Sequence, residues 1–189
     1  MKEEELLIQK AKQGDDISFG KLYDTYLPSI YRFVFLKIGR KEDAEDITQK
    51  VFVSAWQSLK GFEFKGFPFS SWLYRIASNA VIDYYRTWKG NISIDLVPEE
   101  YFSESMNEEG RIDDNFDIAR VRTAIAKLEP DQQNVVIMKF VSDLSNKEIA
   151  ESLGKTEGAI RVIQHRALKQ LKTLIDTNEE RHNRTTKEA

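Results

Sequence analysis

Four side chains in the last third of the chain could read the edges of DNA base pairs. Arg161, Val162, His165 and Arg166 recur at spacings of one and four residues, so a helix would present all four on one face. Arginine can donate two parallel hydrogen bonds to guanine, and an apolar side chain can contact the thymine methyl group. The plainer interpretation of an isolated basic helix is a solvated surface.

The residues just before this face have the spacing of a helix-turn-helix. Ile149, Ala150 and Leu153 would face inward from a first helix, with alanine where two helices approach closely. Gly154 supplies the left-handed backbone of a tight turn, and Thr156 can cap the second helix. That helix would bury an apolar stripe formed by Ile160, Ile163, Ala167, Leu171 and Leu174. The combination favours a DNA-binding motif over a bare amphipathic hairpin.

Aromatic and basic side chains concentrate between residues 62 and 86. An unpaired base needs aromatic or apolar walls and hydrogen-bond donors, and its backbone needs positive charge. The segment supplies these groups as Phe62, Phe64, Lys65, Phe67, Trp72, Arg75, Tyr84, Tyr85 and Arg86. The alternative is that most of these rings fill the core, and we prefer this alternative for Trp72 and Tyr74 individually.

Acidic residues open another predicted helix. Asp43 and Asp46 would share one helical face, with Glu45 beside them, and could hold Mg²⁺ for a hydrolase. The chain has no phosphate-cradling glycine loop, no nucleophile elbow, no histidine–carboxylate constellation and no zinc-ligand spacing. We therefore expect no enzyme, no metal and no cofactor. Acids in a first turn also simply complement the helix dipole.

Helical periodicity, with few glycines and prolines, predicts an all-α chain of two small helical domains joined by a flexible acidic linker. The first domain, residues 1–89, would hold helices over 4–13, 17–27, 28–38, 42–59 and 70–89, with Pro28 opening the third. The linker would span 90–115. The second domain, residues 116–176, would hold helices over 116–128, 130–141, 146–153 and 156–175, followed by a polar tail over 177–189.

The distribution of charge matters more than its total. The net charge is -3, yet residues 95–117 carry nine acidic residues and one basic residue, whereas residues 155–172 carry five basic residues and one acidic residue. A polyanion such as DNA responds to the charge of the surface that it contacts, so a local excess of positive charge favours its binding. The chain has no cysteine and no long apolar run, so we expect a cytoplasmic protein without a signal peptide or membrane insertion.

Three strings, in this order, resemble the bacterial RNA polymerase sigma factors. KEDAEDITQKVFVSAW and FPFSSWLYRIASNAVIDYYR look like the hallmark helices of region 2, and LEPDQQNVVIMKFVSDLSNKEIAESLGKTEGAIRVIQHRALKQLK is similar to region 4. The short acidic linker, with no region 3 domain, resembles the extracytoplasmic-function group. The resemblance implies a transcription initiation factor that binds core RNA polymerase and directs it to specific promoters.

The resemblance also implies a division of labour between the domains. Region 4 would read the minus-thirty-five duplex through positions that match Thr156, Glu157, Arg161, Val162, His165, Arg166 and Lys169. Region 2 would capture the opened minus-ten strand through positions that match Phe62, Phe64, Lys65, Phe67, Arg75, Asn79, Asp83 and Arg86.

The partners implied by the resemblance are core RNA polymerase, promoter DNA and an anti-sigma factor. The clamp coiled coil of polymerase would contact positions that match Asp43, Asp46, Gln49 and Lys50, and the polymerase flap would contact region 4. Lys50 stands where the family usually has glutamate. The linker would thread toward the RNA exit path or act as a solvating spacer. A stand-alone helix-turn-helix regulator would explain the second domain equally well, but it would not explain the region 2 strings.

Overall fold

The computed structural model describes residues 2–64, 67–89 and 123–185, and every regular element in these ranges is helical. The helices are α1 (Lys2–Lys12), α2 (Asp16–Ile38), α3 (Lys41–Ser58), α4 (Phe69–Lys89), α5 (Pro130–Phe140), α6 (Asn146–Leu153) and α7 (Glu157–Thr185). A short 3₁₀ turn, Leu59–Gly61, follows α3. The predicted all-α class is confirmed. The predicted linker and residues 116–122 of the predicted 116–128 helix lie outside the described residues.

Helix α2 is the centre of the first unit, where it contacts α1, α3 and α4. The prediction that two helices meet at Pro28 is wrong, because α2 runs through that residue without a break. An internal proline removes a hydrogen bond and costs about 3 kcal/mol. Burial of apolar side chains on both sides of it, among them Leu22, Ile30 and Phe33, offsets this cost. The helix ends at Gly39, whose φ is 81°.

Helices α5, α6 and α7 contact one another in the second unit. Pro130 opens α5, and a reciprocal capping box opens α6. In that box the Ser145 backbone N–H donates to Glu148 Oε2 over 2.7 Å, and the Glu148 N–H donates to Ser145 Oγ over 3.2 Å. Gly154, with φ 64°, ends α6 as predicted.

Helix α7 is longer than the sequence pattern predicts. We expected a polar tail from residue 177, but the helix continues to Thr185. Residues 177–185 contain neither glycine nor proline, so nothing in their covalent structure stops a helix.

The two units pack directly against each other. Helix α6 contacts α4, and α5 contacts α2. The buried apolar side chains of the described residues form one contiguous cluster that reaches from Ile8 in α1 to Ala167 in α7. The two predicted domains therefore share one apolar core in this structure, a contact that the sequence did not predict. No described helix is long and apolar enough to cross a membrane.

Candidate nucleic-acid interface

The two helices of the helix-turn-helix pack against each other through buried apolar side chains. Ile149 and Ile160 are fully buried on facing helices, and Ala167 continues the buried stripe along α7. Ile163, Leu171 and Leu174 are half-buried against the same core, on the side that the sequence predicts. The Ala159 backbone N–H donates to Thr156 Oγ1 over 3.2 Å, so Thr156 caps α7 as predicted.

The opposite face of α7 is open to solvent. Val162 is 50% exposed, and Arg161, His165, Arg166 and Lys169 are also exposed. Arg161 Nη2 donates to Glu157 Oε1 over 2.5 Å, which holds the guanidinium beside the first turn of the helix. An exposed ion pair of this kind is weak and can be exchanged for another acceptor. The predicted reading residues thus lie together on one accessible surface.

Residues 61–64 and 67–68, which we call the Phe loop, lie against an aromatic cluster. The Phe62 ring lies 5.0 Å from Phe64, 5.3 Å from Phe69 and 5.1 Å from Trp72, measured between centroids. Phe62 is only 6% exposed, whereas Phe64 is 38% exposed. The Phe62 ring is therefore buried within the cluster, whereas part of the Phe64 ring is open to solvent. Lys65 lies outside the described residues.

An exposed row on α4 leads away from the Phe loop. Arg75, Asn79, Ile82 and Arg86 follow one another at spacings of four, three and four residues, and all are exposed. We call this row the α4 ridge. Its two ends are positively charged, at Arg75 and Arg86. Between them lie the amide of Asn79 and the apolar side chain of Ile82, which is 42% exposed. Sequence reasoning missed Ile82, although its helical spacing from Arg75 and Arg86 marks it.

A groove of about 610 Å³ lies beside the ridge, between α3 and α4. Its lining combines apolar side chains with an amide, hydroxyls and two charged groups: Ile47, Lys50, Ser54, Ile76, Asn79, Ala80, Asp83, Tyr84 and Thr87. Apolar walls with a few hydrogen-bonding groups suit a planar heterocycle. The predicted residues Asn79 and Asp83 therefore meet here, together with Lys50.

Comparisons with known proteins match two segments of the chain to one family of proteins. Residues 22–90 match the family described as Sigma-70 region 2, and residues 118–171 match the family described as Sigma-70, region 4. The chain belongs to the extracytoplasmic-function (ECF) group of sigma factors. Members of this group are promoter-specific initiation factors of bacterial RNA polymerase.

Curated ECF relatives match along most of the chain. The chain is 31% identical over 180 residues to the ECF RNA polymerase sigma factor BldN of Streptomyces coelicolor. This alignment covers 89% of the chain but only 64% of BldN. The chain is 28% identical over 174 residues to SigW of Bacillus subtilis. This alignment covers 87% of the chain and 92% of SigW.

Solved structures share the arrangement of the helices. CnrH, solved in complex with the cytosolic domain of CnrY, is similar with a TM-score of 0.70 and 25% identity over 91% of this chain and 96% of CnrH. The sigma factor RpoE of Bartonella quintana, solved with the anti-sigma factor NepR, shares the fold with a TM-score of 0.66 and 23% identity, over 84% of this chain and 96% of RpoE.

Within ECF region 2, helix α3 carries the residues expected to meet polymerase. Asp46, Gln49 and Lys50 are exposed on it. Asp43 is only partly exposed. It forms an ion pair with Arg40 Nη1 at 3.3 Å and accepts a hydrogen bond from the Tyr84 hydroxyl at 2.8 Å. Burial and the carboxylate of Asp43 together raise the Tyr84 pKa, so the phenol remains a donor. No group of three metal-ligating side chains lies together among the described residues.

One positioning contact of region 2 has no signature in the sequence. Lys12 Nζ donates to the Phe62 backbone carbonyl over 2.7 Å and ties α1 to the Phe loop. The two residues are 50 positions apart, so neither periodicity nor a motif could associate them.

Proposed function

We propose that this ECF sigma factor binds core RNA polymerase and directs it to promoters, reading duplex with α7 and an opened strand with the Phe loop and the α4 ridge. The observation that carries the proposal is that one chain presents both an exposed basic recognition helix and a separate aromatic surface bordered by arginines. Duplex and single-stranded DNA require these different chemistries.

Region 4 reads the minus-thirty-five element through the open face of α7. Arg161, Val162, His165 and Arg166 approach base edges in the major groove, where an arginine fork distinguishes guanine. Thr156, Glu157 and Lys169 lie at the border of this face and position the helix. Lys169 is exposed and basic, which suits a phosphate contact that fixes register without reading sequence.

Region 2 captures the minus-ten strand along the Phe loop and the α4 ridge. Phe64 and Phe67 offer stacking surfaces, and Lys65, Arg75 and Arg86 neutralise phosphates. An extruded base enters the groove between α3 and α4, where Asn79 presents both a donor and an acceptor. Asp83 lines the same groove and selects bases that offer an amino group. Phe62 acts indirectly, since its ring is buried.

Polymerase binds the exposed face of α3. Asp46 and Gln49 contact the clamp coiled coil, and Asp43 organises this face through Arg40 and Tyr84. Lys50 lies at the edge of this face beside the groove, so it serves the polymerase contact or the DNA. Region 4 meets the flap. The chain works in the cytoplasm without catalysis of its own, and an anti-sigma factor restrains it, as NepR binds the Bartonella RpoE.

The proposal is tested by reconstitution with purified core RNA polymerase. Core enzyme alone and core plus this protein transcribe fragmented genomic DNA, and the 5′ ends of the transcripts are mapped. We expect new start sites that share one minus-thirty-five and one minus-ten sequence. DNA binding without any new start sites would favour a stand-alone regulator instead.

A matched pair of variants separates polymerase binding from a general effect of charge. Asp46→Lys should abolish co-elution with core enzyme in size-exclusion chromatography. Glu45→Lys makes the same change of charge at the neighbouring exposed position and should retain co-elution. Equal loss in both variants would remove Asp46 from the interface.

A further inference from the structure

Two of the hydroxyl groups that line the groove between α3 and α4 are already engaged within the protein. The Tyr84 hydroxyl donates to Asp43 Oδ2 over 2.8 Å, and the Thr87 hydroxyl donates to the backbone carbonyl of Asp83 over 2.9 Å. A hydroxyl has one proton, so neither group can donate a second hydrogen bond to a ligand. Any selectivity of the groove must come from the other polar side chains of its lining, which are Lys50, Ser54, Asn79 and Asp83.

Only Lys50 and Asp83 are restricted to one role in hydrogen bonding. The Lys50 ammonium can only donate, and the Asp83 carboxylate can only accept. The Ser54 hydroxyl and the Asn79 amide can each do either, so they add affinity for many ligands and discriminate poorly between them. Lys50 on α3 and Asp83 on α4 therefore decide which ligand fits the groove.

Both of these side chains can still bind a ligand. Lys50 is exposed and has no hydrogen-bond or ion-pair partner among the described residues. Arg86 Nη1 lies 3.4 Å from Asp83 Oδ1, and the side chains of this pair are 77% and 70% exposed, respectively. An exposed pair of this kind is weak. A carboxylate has about four lone-pair sites, so Asp83 can keep Arg86 and still accept two hydrogen bonds.

The apolar part of the lining suits a flat ring system. Ile47, Ile76, Ala80 and the ring of Tyr84 contribute this part. A groove of about 610 Å³ has room for the two fused rings of a purine. The groove thus offers a purine apolar contacts, with one charged donor and one charged acceptor to meet its edge.

Guanine is the base whose edge matches both charged side chains. It presents two neighbouring donors, N1–H and the N2 amino group, and two neighbouring acceptors, O6 and N7. A carboxylate can accept from both N–H groups at once, and an ammonium can donate to O6 and N7. Adenine sets an amino group beside N7, where it would meet the ammonium. Cytosine offers the carboxylate a single amino group, and thymine offers none.

We propose that the groove between α3 and α4 is selective for guanine, with Lys50 donating to O6 and N7 and Asp83 accepting from N1–H and the N2 amino group. The proposal rests on the proposed function for the source of this base, which is the opened promoter strand. A free guanine nucleotide presents the same edge, so the recognition chemistry is common to both sources. Lys50 then belongs to the DNA-reading surface rather than to the polymerase contact.

Base selectivity is measured with the full chain and four fluorescein-labelled strands of thymidine, each about 12 nucleotides long. Their central base is guanine, adenine, cytosine or thymine. We expect the guanine strand to bind about ten-fold more tightly than the all-thymine strand. Equal affinity for the four strands overturns the proposal.

Analogues of guanine that differ at one position assign each side chain to its part of the edge. Hypoxanthine lacks the N2 amino group, and 7-deazaguanine has carbon in place of N7. Each analogue should bind the parent protein several-fold more weakly than guanine does. In Asp83→Asn the penalty for hypoxanthine should disappear, and in Lys50→Met the penalty for 7-deazaguanine should disappear. A penalty that persists unchanged in the matching variant overturns the assignment of that side chain.

Matched variants separate base selectivity from a general effect of charge. Asp24→Asn on α2 and Lys41→Met at the start of α3 make the same chemical changes outside the groove and should keep the preference for guanine. All four substituted positions are exposed, so helicity measured by circular dichroism should be unchanged. A phosphate contact of Lys50 would weaken all four strands equally in Lys50→Met, and this result overturns its base contact.

Competition with guanosine 5′-monophosphate distinguishes the two sources of the base. If the opened strand is the ligand, the nucleotide should displace the guanine strand only at millimolar concentration, because it lacks the contacts of the neighbouring nucleotides. Displacement at low micromolar concentration that is lost in Asp83→Asn would support the guanine site but overturn the strand as its ligand.

Failure of the proposed function gives a different result. If the groove selects guanine but the chain never directs core enzyme to start sites, the strand measurements keep their selectivity while transcription is absent. If the function holds but the groove does not select guanine, transcription starts normally, and the mapped minus-ten sequences contain no guanine whose presence depends on Asp83.

Discussion

Asp43 of α3 accepts a hydrogen bond from the Tyr84 hydroxyl of α4, with 2.8 Å between the two oxygens. The contact joins the helix expected to bind polymerase to the helix expected to bind the minus-ten strand. We expect Tyr84→Phe to lower the free energy of unfolding by about 1–2 kcal/mol, because the hydrogen bond has a charged acceptor. Urea unfolding measures this, and Asp46→Asn, a change at an exposed carboxylate, should leave the midpoint within error.

The hydrogen bond between Lys12 and the Phe62 carbonyl predicts that DNA capture can be weakened without loss of polymerase binding. In Lys12→Met the Phe loop loses its tie to α1, and capture of the minus-ten strand by the polymerase complex should weaken several-fold. Lys10→Met is the control, since Lys10 is exposed on the same helix. Binding to core enzyme should be unchanged in both variants. A loss of strand capture in Lys10→Met of the same size would mean that the Phe62 contact is not the cause.

Arg161 is expected to carry sequence discrimination in the duplex. Arg161→Ala should weaken binding of the polymerase complex to a minus-thirty-five duplex by about 1–3 kcal/mol and relax the preference at one base pair. Lys172→Ala, on the same helix but outside the reading residues, should have little effect on base preference. Measurements with a set of single-base-substituted duplexes give both quantities. An unchanged preference in Arg161→Ala would exclude a base-edge contact.

The stability of the chain should depend on pH through Lys37. Burial lowers its pKa from 10.5 to about 8, although the carboxylate of Asp131 on α5 acts in the opposite direction. The folded chain therefore binds fewer protons at this site than the unfolded chain between these values, and raising the pH across this interval raises the free energy of unfolding. The Phe33 ring, whose centroid lies 5.7 Å from Lys37 Nζ, carries no charge. Burial raises the Tyr85 pKa to about 12, so Tyr85 is also neutral in this interval.

The midpoint of urea unfolding measured from about pH 7 to about pH 9.5 should rise in the parent protein. In Lys37→Met it should be high and flat, because replacing a buried amine by an apolar side chain of similar size removes both the charge and its desolvation. A rise of equal size in Lys37→Met would assign the pH dependence to another group.

Two glycines that flank the start of α7 predict opposite effects. Gly154 has a φ of 64°, so Gly154→Ala should destabilise the protein by about 1 kcal/mol. Gly158 lies in the first turn of α7 with open space around its Cα, so Gly158→Ala should be neutral or stabilise by about 0.5 kcal/mol. Thermal unfolding of the two variants distinguishes a strained turn from a general intolerance of side chains in this region.

The parts of the fold that follow from local chemistry could be predicted from the sequence. Thr156 and Gly154 mark helix ends through capping and a left-handed backbone, and the structure confirms both. The helix predicted over 130–141 does begin at Pro130. Pro28 misled the prediction because long-range burial holds α2 together across it. Residues 177–185 contain no glycine or proline that would end α7, and the helix continues through this segment, where we predicted a polar tail.

The parts of the site that depend on contacts between distant residues could not be predicted. The sequence pattern placed Phe62 among the DNA-facing rings, but three neighbouring rings hold it in the core. It placed Asp43 on an open surface, whereas Tyr84 and Arg40 engage it. No periodicity indicates which face of α6 meets α4, so the contact between Arg75 and Glu151 had no signature.

The single apolar cluster that joins the two units has a consequence for how the protein melts. Elements that share one core lose it together, so thermal unfolding of the chain should give one calorimetric transition whose van't Hoff and calorimetric enthalpies agree. A variant that breaks the shared core would leave each unit with a small core of its own, and two overlapping transitions of lower temperature should replace the first. The heat capacity trace of the whole chain thus reports whether the two units unfold as one.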